Sequence, residues 1–360
     1  MTSAFTTQTP VFTVGGTVVA ELARDVVRLE IEEGTEGLRS LRGQFHATAA
    51  GATGARSQLL HLDGGSLDFG KSLKVSLGPT GDQRIVFEGV ISGLEAEFQR
   101  DEAPSVTAYG EDVLMRLRMV RRMRTYEQMS DADLAREIAR AHSLQSDVEA
   151  PGPTYDVVQQ ANQSDLAFLR ERARLVQAEL WCTDRTLHFR TRPSRKGTEL
   201  TLVQGADLLA VRLTADLANQ RSQVVVTGWD VSSAEKIDER AGPEVMDAEI
   251  SEGRTGPRVV ERALGACTSM RVREVALTSE EASAWAKAEM LRRGRRFVSV
   301  CGTTKGSADM VVGSRLRLEQ VGRPFDGEGY YVTRVRHTFD LANGFRTRFD
   351  AERATINEVA

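Results

Sequence analysis

Three residues of the segment 161–182 have side chains suited to acid–base or nucleophilic chemistry. Asp165 and Glu171 offer carboxylates, and Cys182 offers a thiol. The same segment spaces its apolar residues by three and four positions, which is typical of a helix that packs on one face. We therefore predict that Asp165 serves the first turn of a helix capped by Asn162, and that Cys182 is buried in the strand that follows. The apolar positions are Leu166, Leu169, Ala173, Val176 and Leu180.

Other arrangements that would support catalysis or metal binding are weak or absent. Cys182 and His188 can approach each other across a tight turn between two strands, but two ligands do not close a metal site. The motifs GxSxG, HExxH and GxGxxG and the P-loop motif do not occur. Glu95 and Glu97 point from one face of a strand, which favours a solvated edge over a glycosidase pair. We expect no catalytic residue, no metal and no cofactor, and therefore not an enzyme.

Five arginines fall within nine residues at 116–124. A basic run of this kind can contact phosphate or a membrane surface. No aromatic residues interleave for base stacking, however, and the formal net charge of the chain is −4. We expect a solvated loop, or arginines that pair with acidic groups of a neighbouring subunit, with no nucleic-acid recognition and no membrane insertion. The five are Arg116, Arg118, Arg121, Arg122 and Arg124.

Two stretches of the chain alternate apolar and polar residues with the period of half-buried strands. They cover residues 10–110 and 205–350. Turn residues at 78–83 predict a hairpin in the first stretch. Gly89 and Gly93 lie inside a strand pattern and predict a bend that curves a sheet toward a barrel.

Helical spacing appears between these two stretches and once within the second. Residues 125–195 mix helix and strand patterns, and Ser130 is the expected cap of the first helix there. A later helix has a capping box of Thr278 and Glu281, and Gly294 follows its expected last residue. We predict a mainly β (α+β) fold in three units. The units are a β-barrel domain at 1–115, an α/β insertion at 116–200 and a second β-barrel domain at 201–360 with a helix near 278–294.

Five segments of the sequence carry a family resemblance through their order. They are FEGVISGLEAEF, RTYEQMSDADLAREIA, QQANQSDLAFLRERARLVQAELW, SEEASAWAKAEM and VVGSRLRLEQVGRPFDGEGYYVTRVRHTFDLANGFRTRF. Together they resemble the baseplate hub protein of phage tails and contractile injection systems, which includes phage late control D proteins and the hub part of VgrG spikes. The resemblance spans roughly residues 65–350.

This resemblance implies two tube-type β-barrels in each subunit, with small α/β insertions. Three subunits would form a pseudo-sixfold ring that adapts a hexameric inner tube to a trimeric spike. VgrG-type chains continue into a needle, whereas this sequence stops at Ala360, so we expect a hub whose spike is a separate protein. The expected partners are further copies of the chain, an inner tube protein, that spike protein and other baseplate proteins. No signal peptide is recognisable, so we expect synthesis in the bacterial cytoplasm and incorporation into a virion or injection particle.

Two functions from different classes fit these features of the sequence. The first is the structural hub. The second is a β-barrel tail enzyme that binds carbohydrate or degrades the cell wall, since Trp181, Trp229, Tyr330 and Tyr331 can stack on sugars. Only three Trp and five Tyr occur in the chain, which favours core or interface roles for them. The expected assembly contacts are the five arginines of the run together with Arg170, Arg174, Tyr330 and Tyr331.

Overall fold

Strands dominate the computed structural model of the protein. They account for 49% of it and helices for 20%, which confirms the expected mainly β fold. The structure describes residues 9–47, 59–62, 64–79, 81, 83–100, 102–250 and 252–358.

The first β region has an apolar core that includes Phe12, Phe45 and Phe87. Alternation places every second residue of its strands in that core, because successive side chains of a strand point to opposite faces. The predicted hairpin is confirmed, since its two strands pair antiparallel on either side of residues 78–83. The elements are β1 (Val11–Val14), β2 (Thr17–Val18), α1 (Ala20–Asp25), β3 (Val26–Gly34), β4 (Ser40–His46), β5 (Ser72–Leu77), β6 (Arg84–Glu97) and β7 (Ser105–Glu111).

The middle region combines two long helices with two small sheets. The first of these helices starts at a capping box of Ser130 and Asp133, as predicted. The second begins at Asp165 with Ser164 as its cap, so the assignment of Asn162 as the cap was wrong. The elements are α2 (Met115–Arg118), β8 (Arg121–Ser130), α3 (Asp131–Ala141), β9 (Gln145–Glu149), β10 (Thr154–Ser164), α4 (Asp165–Val176), β11 (Ala178–Thr183), β12 (Thr186–Thr191) and a 3-10 turn at Arg192–Ser194.

The last region contains more helix than the sequence indicated. Its longest helix is capped by Thr278 as predicted, but Gly294 is its last residue and not the residue after it. A side chain at Gly294 would clash with Met246, which packs against this position. The elements are β13 (Glu199–Val203), β14 (Leu208–Ala215), β15 (Gln223–Asp230), β16 (Glu235–Ala241), α5 (Glu244–Asp247), β17 (Arg254–Thr255), α6 (Gly256–Leu264), β18 (Thr268–Ala276), α7 (Ser279–Gly294), β19 (Val298–Lys305), β20 (Arg315–Glu319), β21 (Gly327–Asp340), β22 (Gly344–Arg353) and β23 (Thr355–Ile356).

The α/β region is built from two separate stretches of the chain. Leu169 of α4 and Leu180 of β11 share one apolar core with Val226 of β15 and Trp285 of α7. The stretch from β15 to α7 therefore packs with the middle region, although it follows two strands of the second β region. The division of the chain at residues 115 and 200 stays a prediction.

One large sheet connects the first and second β regions. Its strands follow the order β14-β19-β22-β21-β3-β4-β7-β6-β5-β1-β2, and β20 joins β21 to β13. The two regions meet where β3 pairs antiparallel with β21, with Phe339 opposite Leu29. The second region has its own apolar core, which includes Leu318, Tyr330 and Phe349.

The second β region repeats the strand pattern of the first. β6 and β21 each have 14 residues, and each pairs with one strand over its first half and with the returning hairpin strand over its second half. Each carries a bulge in its pairing with the returning strand, at Ser92 in β6 and at Thr333 in β21. Both bulge hydroxyls donate to a carbonyl of the returning strand, Ser92 to Tyr109 at 3.4 Å and Thr333 to Asp350 at 3.2 Å.

The other strands of the first β region also have counterparts in the second. β3 and β14 both contain a bulge near their first residue, between Val26 and Arg28 and between Leu208 and Ala210. β4 and β19 each place a glycine at the centre of the strand, under a phenylalanine ring. Thus β3, β4, β5, β6 and β7 correspond to β14, β19, β20, β21 and β22. The sequence alone did not reveal this duplication.

Candidate assembly surface

The arginine run forms the end of α2 and the start of β8. Two of its members pair within the chain, Arg118 with Glu111 at 2.5 Å and Arg122 with Asp165 at 2.9 Å. Three others are exposed and have no carboxylate partner among the described residues, although one binds a backbone carbonyl. The run is not the loop that the sequence predicted, because much of it lies in strand β8. The three exposed members are Arg116, Arg121 and Arg124.

Apolar side chains lie between these arginines and face outward. Met119, Val120 and Met123 are 63%, 55% and 77% exposed. Exposed apolar groups next to unpaired cations are typical of a surface that contacts another protein. The arginine run therefore stays a candidate contact surface.

Arg170 and Arg174 hold α4 against the turn between β3 and β4. Arg170 donates to the carbonyls of Glu36 at 2.9 Å and Gly37 at 3.1 Å, and Arg174 pairs with the Glu36 carboxylate at 2.7 Å. Both arginines thus have a structural role within the chain. Arg174 remains more than half exposed, so it can still reach a neighbour.

Tyr330 and Tyr331 are buried inside the chain, which argues against their predicted role as direct contacts. Tyr330 is 0% and Tyr331 4% exposed. The Tyr330 hydroxyl donates to the Phe325 carbonyl at 2.6 Å, and the Tyr331 hydroxyl donates to the Glu179 carboxylate at 2.6 Å. Burial raises the pKa of both phenols, so they remain neutral donors.

Tyr331 belongs to a buried ionic network that joins the α/β region to the main sheet. Arg195 donates to Glu33 of β3 at 2.7 Å and to Glu179 of β11 at 3.1 Å. Arg39 donates to the same Glu33 from the other side. Burial alone would raise the pKa of Glu33, but the positive charges of Arg39 and Arg195 outweigh it and hold the pKa below its usual value. No local pattern indicates this network, since its members come from distant segments.

Asp165 is a structural anchor and not a simple helix cap. It is buried, and it accepts from Gln160 at 2.8 Å and from Arg122 at 2.9 Å, with the His142 ring at 2.7 Å. Burial opposes ionisation, but these hydrogen bonds hold the pKa of Asp165 below its usual value. A carboxylate held ionised by three partners is a poor proton donor.

The remaining catalytic and metal candidates do not assemble into a site. Cys182 is buried as predicted, and burial raises the pKa of its thiol to about 12, which disfavours the nucleophilic thiolate. Cys182 lies opposite Leu187 and His188 lies opposite Trp181, so Cys182 and His188 point to different faces of the sheet. Within the described ranges, no group of three or more His, Cys, Asp and Glu side chains could hold a metal ion.

The aromatic residues considered for sugar binding are dispersed. Trp181 is covered by stacking on His188 and by the guanidinium of Arg195. Trp229 is half exposed at the far end of β15. Tyr330 and Tyr331 are in the core, so these four rings do not form a common platform.

One face of the main sheet is polar across both β regions. Residues directly opposite each other on neighbouring strands share a face, and the row through Arg348, Arg336, Glu32 and Ser40 crosses the junction of the two halves. Arg336 pairs there with Glu32 at 2.5 Å. The opposite face carries the two apolar cores. In the part of the chain that the structure describes, no helix is long and apolar enough to cross a membrane.

Several solved structures share this fold over nearly the whole chain. The 43 kDa tail protein of prophage MuSo2 from Shewanella oneidensis is 14% identical, with a TM-score of 0.70 over 96% of this chain and 98% of that chain. A tail protein from Neisseria meningitidis MC58 is also 14% identical, with a TM-score of 0.66 over 96% of each chain. At such identities the likeness concerns the fold.

A third similar structure comes from a secretion machine. It is an Escherichia coli component of the type VI secretion system, described as structurally similar to the T4 bacteriophage tail proteins gp27 and gp5. It is 13% identical, with a TM-score of 0.58 over 93% of this chain and 76% of that chain. The fold is therefore shared by phage tail proteins and secretion-system proteins.

Sequence comparison gives one family assignment. No curated protein matches the chain. The model of one family, described as the Alg8 N-terminal domain, matches residues 62–340, which is most of the chain. The protein therefore belongs to the Alg8 N-terminal domain family.

Proposed function

We propose that the protein is the structural hub subunit of a phage tail or contractile injection system. Three copies would form a ring that joins a hexameric inner tube to a separate trimeric spike. The observation that carries this proposal is the duplicated strand pattern, with β3 to β7 repeated by β14 and β19 to β22. A chain with two similar units converts threefold symmetry into six similar positions, as a tube of six subunits requires.

The polar sheet face supports the same role. The row through Arg348, Arg336, Glu32 and Ser40 is polar where it crosses the junction of the two halves. A wall of a water-filled channel needs such a face, whereas the apolar face must be covered. The fold shared with tail and secretion-system proteins agrees with a particle component.

Co-expression with candidate inner tube and spike proteins from the same genome tests the proposal. Native mass spectrometry should detect a trimer, and electron microscopy should place one trimeric ring between tube and spike. The chain alone serves as the control, since assembly can require its partners. A chain that stays monomeric with both partners present, and is absent from the particle, contradicts the proposal.

A further inference from the structure

Among the strands that the two halves share, β14 and the distal part of β6 each have one edge without a strand partner within the described residues. Beyond one isolated bridge at Leu208, residues 209–215 of β14 pair only with β19. On the other side, β5 pairs with β6 only up to Val90, so residues 92–97 pair only with β7. Open edges present a row of unpaired N–H and C=O groups and serve as templates for another strand.

The duplication shows what covers such an edge inside the chain. β21 corresponds to β6, and its second half is covered by β3, with Phe339 opposite Leu29. Phe339 is 6% exposed there, whereas its counterpart Phe98, just past the end of β6, is 65% exposed. His337 is buried, whereas its counterpart Ala96 is exposed. The distal half of β6 therefore lacks the cover that its counterpart has.

The open edge of β14 is also less buried than its counterpart in the first β region. β14 corresponds to β3, and Leu29 and Ile31 of β3 are each 1% exposed at the internal junction. Their counterparts Val211 and Leu213 in β14 are only partly buried. Each open edge thus exposes the apolar side that the internal junction buries.

The charges at the two open edges are complementary. Arg212 is exposed on β14 and has no ion pair within the described residues. Glu95 and Glu97 lie on the open part of β6. At the internal junction the signs of the charges are exchanged between the two strands. Arg336 is on β21, the counterpart of β6, and it pairs with Glu32 on β3, the counterpart of β14. Opposite charges on facing strands stabilise a pair, and like charges destabilise it.

We propose that β14 of one copy pairs antiparallel with the distal half of β6 of a second copy, in the register of the internal β3–β21 junction. Ala96 would then lie opposite the partner's Leu213, and Glu97 opposite the partner's Arg212. The partner is a second copy because this chain carries both complementary edges. This inference rests on the proposed function for the number of copies, since a head-to-tail contact closes a ring when its rotation permits.

A designed disulfide tests the register. The double variant Ala96→Cys/Leu213→Cys is made in a Cys267→Ser/Cys301→Ser background, because Cys301 is exposed beside Arg212. Directly opposite strand positions lie within disulfide range. Mild oxidation of the assembled protein should give covalent oligomers that end at the trimer. The matched control Ala96→Cys/Thr214→Cys should give none, because Thr214 points to the other face.

A charge exchange tests the side-chain contacts. Arg212→Glu should raise the apparent dissociation constant of the oligomer at least about tenfold, because it places like charges together. Adding Glu97→Arg should restore association, and both variants should unfold like the wild type because these side chains are not buried.

The outcomes separate this inference from the proposed function. A wild-type chain that forms the trimer, combined with no crosslink between Ala96→Cys and Leu213→Cys and no effect of Arg212→Glu, overturns the β6–β14 contact and leaves the hub role intact. A wild-type chain that never associates with its tube and spike proteins overturns the hub role. Equal crosslinking of the Thr214→Cys control overturns the proposed register.

Discussion

Replacing Arg195 with methionine tests whether the buried ionic network fixes the α/β region on the main sheet. The Arg195 side chain is 4% exposed and bridges Glu33 at 2.7 Å and Glu179 at 3.1 Å. Methionine keeps the apolar stem but leaves two buried carboxylates with fewer partners. Removing one member of a buried ion pair costs about 3–5 kcal/mol of unfolding free energy. Glu33 retains Arg39 and Glu179 retains Tyr331, so we expect the lower half of that range.

Urea unfolding followed by tryptophan fluorescence measures this loss. Trp181 reports on the site directly, because the Arg195 guanidinium lies 4.2 Å from the centre of its ring. The matched control is Arg317→Met, which removes exposed pairs with Glu319 and Glu328 and should cost less than about 1 kcal/mol. A loss for Arg195→Met no larger than that of the control refutes the reasoning.

The pH dependence of the same variant provides a second check. Arg39 and Arg195 hold the folded-state pKa of Glu33 below 4.5. A depressed carboxyl pKa contributes stability above the unfolded-state pKa, and this contribution is lost as the pH falls through the folded-state pKa. The difference in unfolding free energy between wild type and Arg195→Met should therefore shrink below about pH 4.5. A difference that grows in acid contradicts the assignment.

Three further predictions concern the α/β region and its junction with the first β region. Asp165→Asn should lower the unfolding free energy by about 1–3 kcal/mol, measured by urea unfolding, because the Arg122 contact with the buried carboxylate loses its charge. Leu169→Ala should cost about 2–5 kcal/mol in the same assay, because Leu169 is fully buried, and a loss below that of an exposed Leu341→Ala control contradicts its core role. Burial raises the pKa of Asp112 to about 6, so the folded state binds a proton that the unfolded state lacks between about pH 4 and 6. Stability relative to Asp112→Asn should fall by roughly 3 kcal/mol as the pH rises through this window, and a constant difference contradicts the shift.

The sequence predicted the helix starts well where a side chain bonds to the backbone only a few residues away. Ser130 and Thr278 cap helices as predicted, because a hydroxyl three residues before a free N–H group is visible in the sequence. The same rule gave the wrong cap at Asn162, because Ser164 offers an equivalent oxygen closer to the helix. Polar residues in succession leave the cap undecided until the chain direction is known.

Long-range features stayed hidden for a physical reason. Arg195 meets Glu33 across 162 positions of the sequence, and neither residue lies in a pattern that marks burial. Tyr330 and Tyr331 look like surface anchors in a strand with polar neighbours, yet both rings are enclosed. The duplication was equally hidden, because corresponding strands share bulges and hydrogen bonds but few side chains.

The duplicated strands also decide the stoichiometry of binding. A ligand protein that recognises backbone geometry, such as the bulges at Ser92 and Thr333, meets two similar surfaces on each chain. A ligand protein that recognises side-chain charge meets only one, because Glu95 occupies the position that Arg336 has in the other half. The same scaffold can therefore hold one class of molecule in a two-to-one ratio and another in a one-to-one ratio, according to which chemistry each recognises.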